Sequence, residues 1–145
     1  MILFSLMACT EPSMKRIDDM TKQLEQIEKK HKKTEEAFDN LVNDCVEFDE
    51  FLRNNNNPKP ELQLLRAYLQ QYEDERTTIV EEIKYSYSQL GDLRDDFKQG
   101  LYTESQREEY LTSEEKVVDM IEAKLDYFLD RFQKQSDFIK EVKRQ

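Results

Sequence analysis

Glycine and proline are almost missing from this chain: 2 Gly and 3 Pro stand among 145 residues. So few breakers, in a chain rich in Glu, Lys, Leu and Gln, leave little room for hairpins and point to long helices. Tryptophan is absent and histidine occurs once. One imidazole cannot furnish the His and Cys clusters that hold zinc. The two cysteines, Cys9 and Cys45, make no disulfide framework. The isolated glycines form no phosphate-cradling loop, and no Ser-His-Asp or Cys-His set is visible. A basic excess is also lacking: 32 acidic against 22 basic residues give a net charge of -10. That balance argues against a general nucleic-acid binder, which needs a basic face, and against charge-driven adsorption to an anionic membrane. With 8 Phe, 7 Tyr and 37% hydrophobic residues, the chain is nevertheless too apolar for a disordered acidic tail. The expectation is a non-enzyme with no metal and no cofactor.

What is present is a heptad pattern. With the seven positions lettered a to g, three tracts place apolar residues at a and d. The first has a at Ile17, Leu24, His31, Phe38, Cys45 and Leu52, with d at Met20, Ile27, Thr34, Leu41 and Phe48. The second runs from Leu62 to Phe97, with Tyr72 and Ile79 among its d positions. The third runs from Leu111 to Val142, with Phe128 at d and Phe132 at a. Of 32 such positions 26 are apolar, where chance would give about 12. The register does not slip within any tract.

The breaks fall between tracts. Asn54 to Pro60 reads as a tight connector in which Asn57 can cap the next helix and the prolines occupy its first turn. Gly100 suits a left-handed stop after Lys98-Gln99. Thr103-Glu104-Ser105-Gln106 reads as a capping box. Gly91, inside the second tract, costs about 1 kcal/mol relative to Ala and predicts a soft spot or kink. Helices are therefore expected at about 14–53, 60–98 and 103–144, each about 40 residues or roughly 60 Å long. Short connectors make neighbours antiparallel. The predicted fold is all-α: an up-down-up antiparallel three-helix bundle of long, coiled-coil-like helices, similar to a spectrin repeat in plan only. Apolar residues beside the a/d stripe, among them Val42, Tyr68, Tyr87, Tyr110 and Leu129, are more than a two-stranded seam needs and favour closure within one chain. A monomer is favoured; a homodimer of extended or hairpin chains stays open.

Residues 1–13 stand apart. Met1 to Cys9 reads MILFSLMAC, apolar or small except for Ser5. Leu6-Met7-Ala8-Cys9 resembles the lipobox of bacterial lipoproteins, with an aliphatic residue three before the cysteine and a small one just before it. The resemblance implies cleavage before Cys9, acyl chains on its thiol and amine, and a polar tether from Thr10 to Ser13. It also implies a bacterial envelope location, on the outer membrane or facing the periplasm, with the membrane reached through lipid on Cys9 alone. Only eight residues precede Cys9 and none is basic, which departs from a full signal peptide and leaves a start upstream of Met1 open. Without acylation these residues would be an apolar N-terminus packed on the bundle end, and the protein a cytoplasmic one. Residues 14–145 form the bundle.

Six a/d positions are polar: His31, Thr34, Arg76, Ser86, Glu114 and Gln135. Reflecting the chain about its two turns brings His31, Ser86 and Glu114 to one level, which predicts a polar core layer with a His31 to Glu114 hydrogen bond. Its plain purpose would be to fix register; the sharper one is a pH switch through His31. Cys45 reads as a small buried hydrophobe. Glu28-Lys29-Lys30-His31 has the Glu-x-x-His spacing of di-iron bundles, but such sites need two of these motifs. The basic run Lys29 to Lys33 wraps around its helix and reads as a solvated patch.

Two groups are candidate partner surfaces, since exposed apolar clusters mark interaction sites. Phe51, Leu64 and Phe138 gather at the end carrying the Asn-rich connector, where the plain alternative is that they close the bundle. Tyr85 and Met120 lie off the stripe near mid-rod. The function expected is that of a non-catalytic envelope lipoprotein serving as a protein-interaction module or spacer for an unknown protein partner. The alternative is a soluble coiled-coil assembly factor or chaperone that self-associates.

Overall fold

A computed structural model of the protein describes residues 11–55 and 61–144. Three helices, α1 (Pro12–Asn54), α2 (Glu61–Lys98) and α3 (Glu104–Arg144), all pack on one another, and no strand occurs among the described residues. The up-down-up bundle expected from the heptads is the fold observed. α1 and α3 run parallel, with α2 antiparallel to both.

The ends follow from local chemistry. α1 opens on Pro12 at its first turn, where a missing N–H costs nothing. Met14 and Lys15 donate to the Glu11 carbonyl at 2.9 and 3.1 Å. Pro12 and Ser13, expected in the tether, are thus the first residues of the helix. At the other end the backbone and side-chain amides of Asn55 both donate to the Phe51 carbonyl. α2 stops in a Schellman motif: Gly100 adopts φ 69°, its N–H donates to Phe97 O, and the Leu101 N–H donates to Asp96 O. The capping box then starts α3. Gln106 N–H donates to Thr103 Oγ1 at 3.3 Å, and Thr103 N–H donates to Gln106 Oε1 at 3.0 Å. α2 runs through Gly91 as continuous helix, in keeping with the heptad register that passes through it unbroken.

The core is the a/d stripe. Every buried residue among those described, apolar or polar, occupies an a or d position, and of the apolar ones there only Leu69 is half-buried. Near mid-rod the helices meet in an aromatic cluster. Tyr72 of α2 lies 5.1 Å from Phe38 of α1 and 4.9 and 5.3 Å from Phe128 and Phe132 of α3, centroid to centroid. The tilted and edge-on geometries suit ring quadrupoles and add about 0.5–1.5 kcal/mol per pair beyond burial. The Tyr72 hydroxyl donates to Glu35, which also receives Arg76. Arg76 covers the Phe38 ring at 5.1 Å, so a cation at an a position reaches out along its stem.

Candidate functional site

The polar a/d residues do not form the expected layer. A constant offset sets α3 against α1: Arg16 donates to Thr112, Gln23 to Asp119, and Lys30 pairs with Asp126, each 96 residues apart. On that offset Glu114 is level with Asp18, thirteen residues short of His31 and roughly 20 Å away along the rod. His31 Nε2 instead lies 3.7 Å from Glu35 Oε1, one turn along its own helix, and is not hydrogen-bonded. Thr34 is satisfied by donating to Lys30 O at 2.9 Å. Ser86 Oγ and Glu114 Oε2 are buried with no partner among the described residues. Burial holds the Glu114 carboxyl above the ordinary glutamate range.

The far-end candidates divide. Phe51 and Phe138 are half-buried and flank the buried Phe48, at 6.5 Å stacked and 6.2 Å edge-on. They close the bundle. Leu64 is 51% exposed and stays outside. Cys9 lies outside the described residues. Cys45 is buried and its thiol is pushed up by burial, the opposite of an activated nucleophile.

Tyr85 and Met120 are the most exposed large apolar residues described, at 60% and 62%, and they belong to a larger feature. α2 and α3 face each other through their g positions, and the c positions lie just outside. Lys124 donates to both Glu82 oxygens at 2.9 and 3.0 Å, and Tyr127 donates to Gln71 at 3.4 Å. Arg131 is held between the rings of Tyr68 and Tyr127, 5.4 Å from each. Along these flanks Leu64, Tyr85, Tyr110, Met120 and Tyr127 are all exposed: five of the eight exposed large apolar residues described sit on this one face. Tyr68 and Val117 add half-buried apolar surface. Sequence reasoning picked out three of the five as partner-surface candidates, Leu64, Tyr85 and Met120, but placed Leu64 with the far-end group. The rest sit at c and g of the second and third tracts, and become one surface once those two helices are known to be neighbours.

No family model matches the chain, and comparison with curated proteins and with solved structures gives no match either.

Between α1 and α2, Val42 and Val46 are exposed beside Leu69, Asp49 and Arg66. Between α1 and α3 a shallow groove of about 500 Å³ is lined by Lys29, Lys30, Lys32, Lys33 and Leu129, and Lys30 in it is already paired with Glu122 and Asp126. Among the described residues no group of three or more His, Cys, Asp or Glu is placed to hold a metal ion, and no helix is long and apolar enough to cross a membrane.

Proposed function

We propose that this chain is a non-catalytic rod of the bacterial envelope, tethered by lipid on Cys9, that works as a protein-interaction module or spacer. The observation that carries the interaction reading is the concentration of exposed apolar side chains along α2 and α3, because exposed apolar residues gathered on one face mark a place where another protein sits. The lipobox-like Leu6-Met7-Ala8-Cys9 supports the tether. With that anchor the connector end of the rod stands roughly 60 Å from the bilayer. The mass of the Cys9 peptide, measured on protein isolated from the cells that make it, tests the tether. A diacylglycerol adduct is expected, whereas an unmodified thiol on a processed or unprocessed chain rejects the anchor and favours the soluble assembly-factor reading. Capture of partners by the tethered protein, lost in a Met120→Glu and Tyr127→Glu variant that stays helical, tests the module.

A further inference from the structure

The end of the rod where α1 begins also carries the α2–α3 turn, and it is apolar where the local fold gives no reason for it. In a Schellman motif the residue after the glycine usually packs an apolar side chain on the last turn of its helix. Here that residue is Leu101, and the positions it would pack on are Asp95 and Asp96. Leu101 stays 59% exposed. Tyr110 is exposed too, and its ring meets that of Tyr102 edge-on at 4.9 Å, while the Tyr102 hydroxyl donates to Asp96 at 3.0 Å. Tyrosine, with an apolar ring and a wet hydroxyl, is enriched at the bilayer–water boundary.

What this end meets follows from where Cys9 is joined. Glu11, two residues further on, is fixed to the bundle. Its carbonyl accepts from Met14 and Lys15, and its carboxylate pairs with Arg107. Arg107 in turn lies over the Phe97 ring and donates to the Phe97 carbonyl. Two peptide links span at most about 8 Å. Acyl chains on Cys9 therefore start within that reach of Glu11, and the headgroup layer they enter is itself about 5–8 Å thick. So short a link holds the end of the bundle against the headgroups, where even a weak apolar contact is made, because the anchor keeps its local concentration high. Charge is not what attracts it. Arg107 is taken by Glu11, and Arg16 by Glu108 and Glu115, which leaves Lys15 and Lys98 against Glu104 and Glu109.

We infer that the acylated rod sits end-on on the bilayer, with the α2–α3 turn in the headgroup layer and Leu101 inserted. The inference rests on the envelope reading above and gives this end its partner, a lipid surface. The chain has no tryptophan, so a single introduced one reports its surroundings. The test takes acylated protein from the cells that make it, placed on zwitterionic phosphatidylcholine vesicles. The reporters are Leu101→Trp at the turn, Met120→Trp on the α2–α3 flank and Val46→Trp toward the other end. All three side chains are exposed in the bundle, so the helical circular-dichroism signal should not change. On vesicles the Leu101→Trp emission should move to shorter wavelength and be quenched by lipids brominated on their acyl chains, at low and high salt alike. Met120→Trp and Val46→Trp should emit as they do in water. A Tyr110→Trp reporter, which keeps Leu101, should shift in the same direction and lose the shift when Leu101→Glu is added. Three outcomes would overturn the inference: Leu101→Trp emission unchanged on vesicles, quenching of Met120→Trp from a rod lying on its side, or a Tyr110→Trp signal indifferent to Leu101→Glu. In each of them the protein still sediments with the vesicles, so the anchor stands. A Cys9 without lipid, on a chain that stays in the supernatant, instead rejects the envelope reading and the end-on contact with it.

Discussion

The α1–α3 seam and the α2–α3 seam share one core but finish their edges in opposite ways. Along α1–α3 the flanks are polar and cross-linked. Arg16 binds Glu108 and Glu115, Gln23 binds Asp119 and Glu122, and Lys30 binds Glu122 and Asp126. These pairs hold the Glu115 and Glu122 carboxyls below the ordinary glutamate range, through hydrogen bonds from Arg16 to the first and from Lys30 and Gln23 to the second. Along α2–α3 the flanks hold one ion pair, Lys124–Glu82, a cation between two tyrosines, and exposed apolar side chains. The a/d stripe decides that three helices meet; the flanks decide which seam is sealed and which is left to meet something else.

The comparison can be broken at its shared centre. Phe132→Ala removes a ring buried against Tyr72, Phe38 and Phe128 and should cost about 3–5 kcal/mol in denaturant unfolding. A loss under about 1 kcal/mol would mean that the aromatic cluster is not the common core of both seams.

It is sharpened by changing the seams one at a time. Arg16→Ala with Lys30→Ala should cost about 1–2 kcal/mol at low salt and less at high salt, because four cross-helix ion pairs are lost. Lys124→Ala should cost under about 0.5 kcal/mol, with one pair lost. The pH dependence should separate likewise. Glu115 and Glu122 have folded-state pKa values below those of the unfolded chain, so their contribution is present above the ordinary glutamate range and lost as pH falls below it. In the Arg16→Ala, Lys30→Ala variant that acid-side loss should shrink.

Glu114, next to Glu115 in sequence, has the opposite sign. Its folded pKa is raised by burial, so stability is greatest with the carboxyl protonated and falls as pH rises through the folded value. Glu114→Leu removes a buried oxygen without a partner and should stabilise the bundle by about 1 kcal/mol at neutral pH. The gain should diminish as the solution is acidified; a pH-independent gain would point to packing alone. A small gain is also expected from Gly91→Ala. An added Cβ meets nothing within 4 Å, so a gain of about 0.5–1 kcal/mol is expected in thermal unfolding.

The core was legible in the sequence because helical burial is periodic. An a/d stripe that never slips can be buried in only one way, and Leu69 alone among its apolar members is left half-exposed. The ends were legible where a residue has one chemical use, as with Gly100 and the Thr103–Gln106 box. Pro12 was not, because proline suits a tether and a first helical turn equally. Levels between helices were poorly legible. Reflection about the turns assigns the connectors an arbitrary share of residues, and the error of two reflections adds up, which separated His31 from Glu114 by several turns. The α2–α3 face was half legible for another reason. Whether a given e or g residue looks at one neighbour or the other depends on which way the third helix turns around the first two, and no heptad records that. Phe51 and Phe138 show the converse: neighbours on a helix end are as readily a plug as a landing site.

Three passes is an odd number. A chain that crosses the rod an even number of times comes back to where it entered, whereas this one enters at Pro12 and leaves at Arg144 with the whole length of the rod between. Anything joined before α1 and anything joined after α3 are thereby kept at opposite poles, about a bundle length apart, by counting alone. Deleting α3 would turn the same sequence from a strut into a loop that returns to its base.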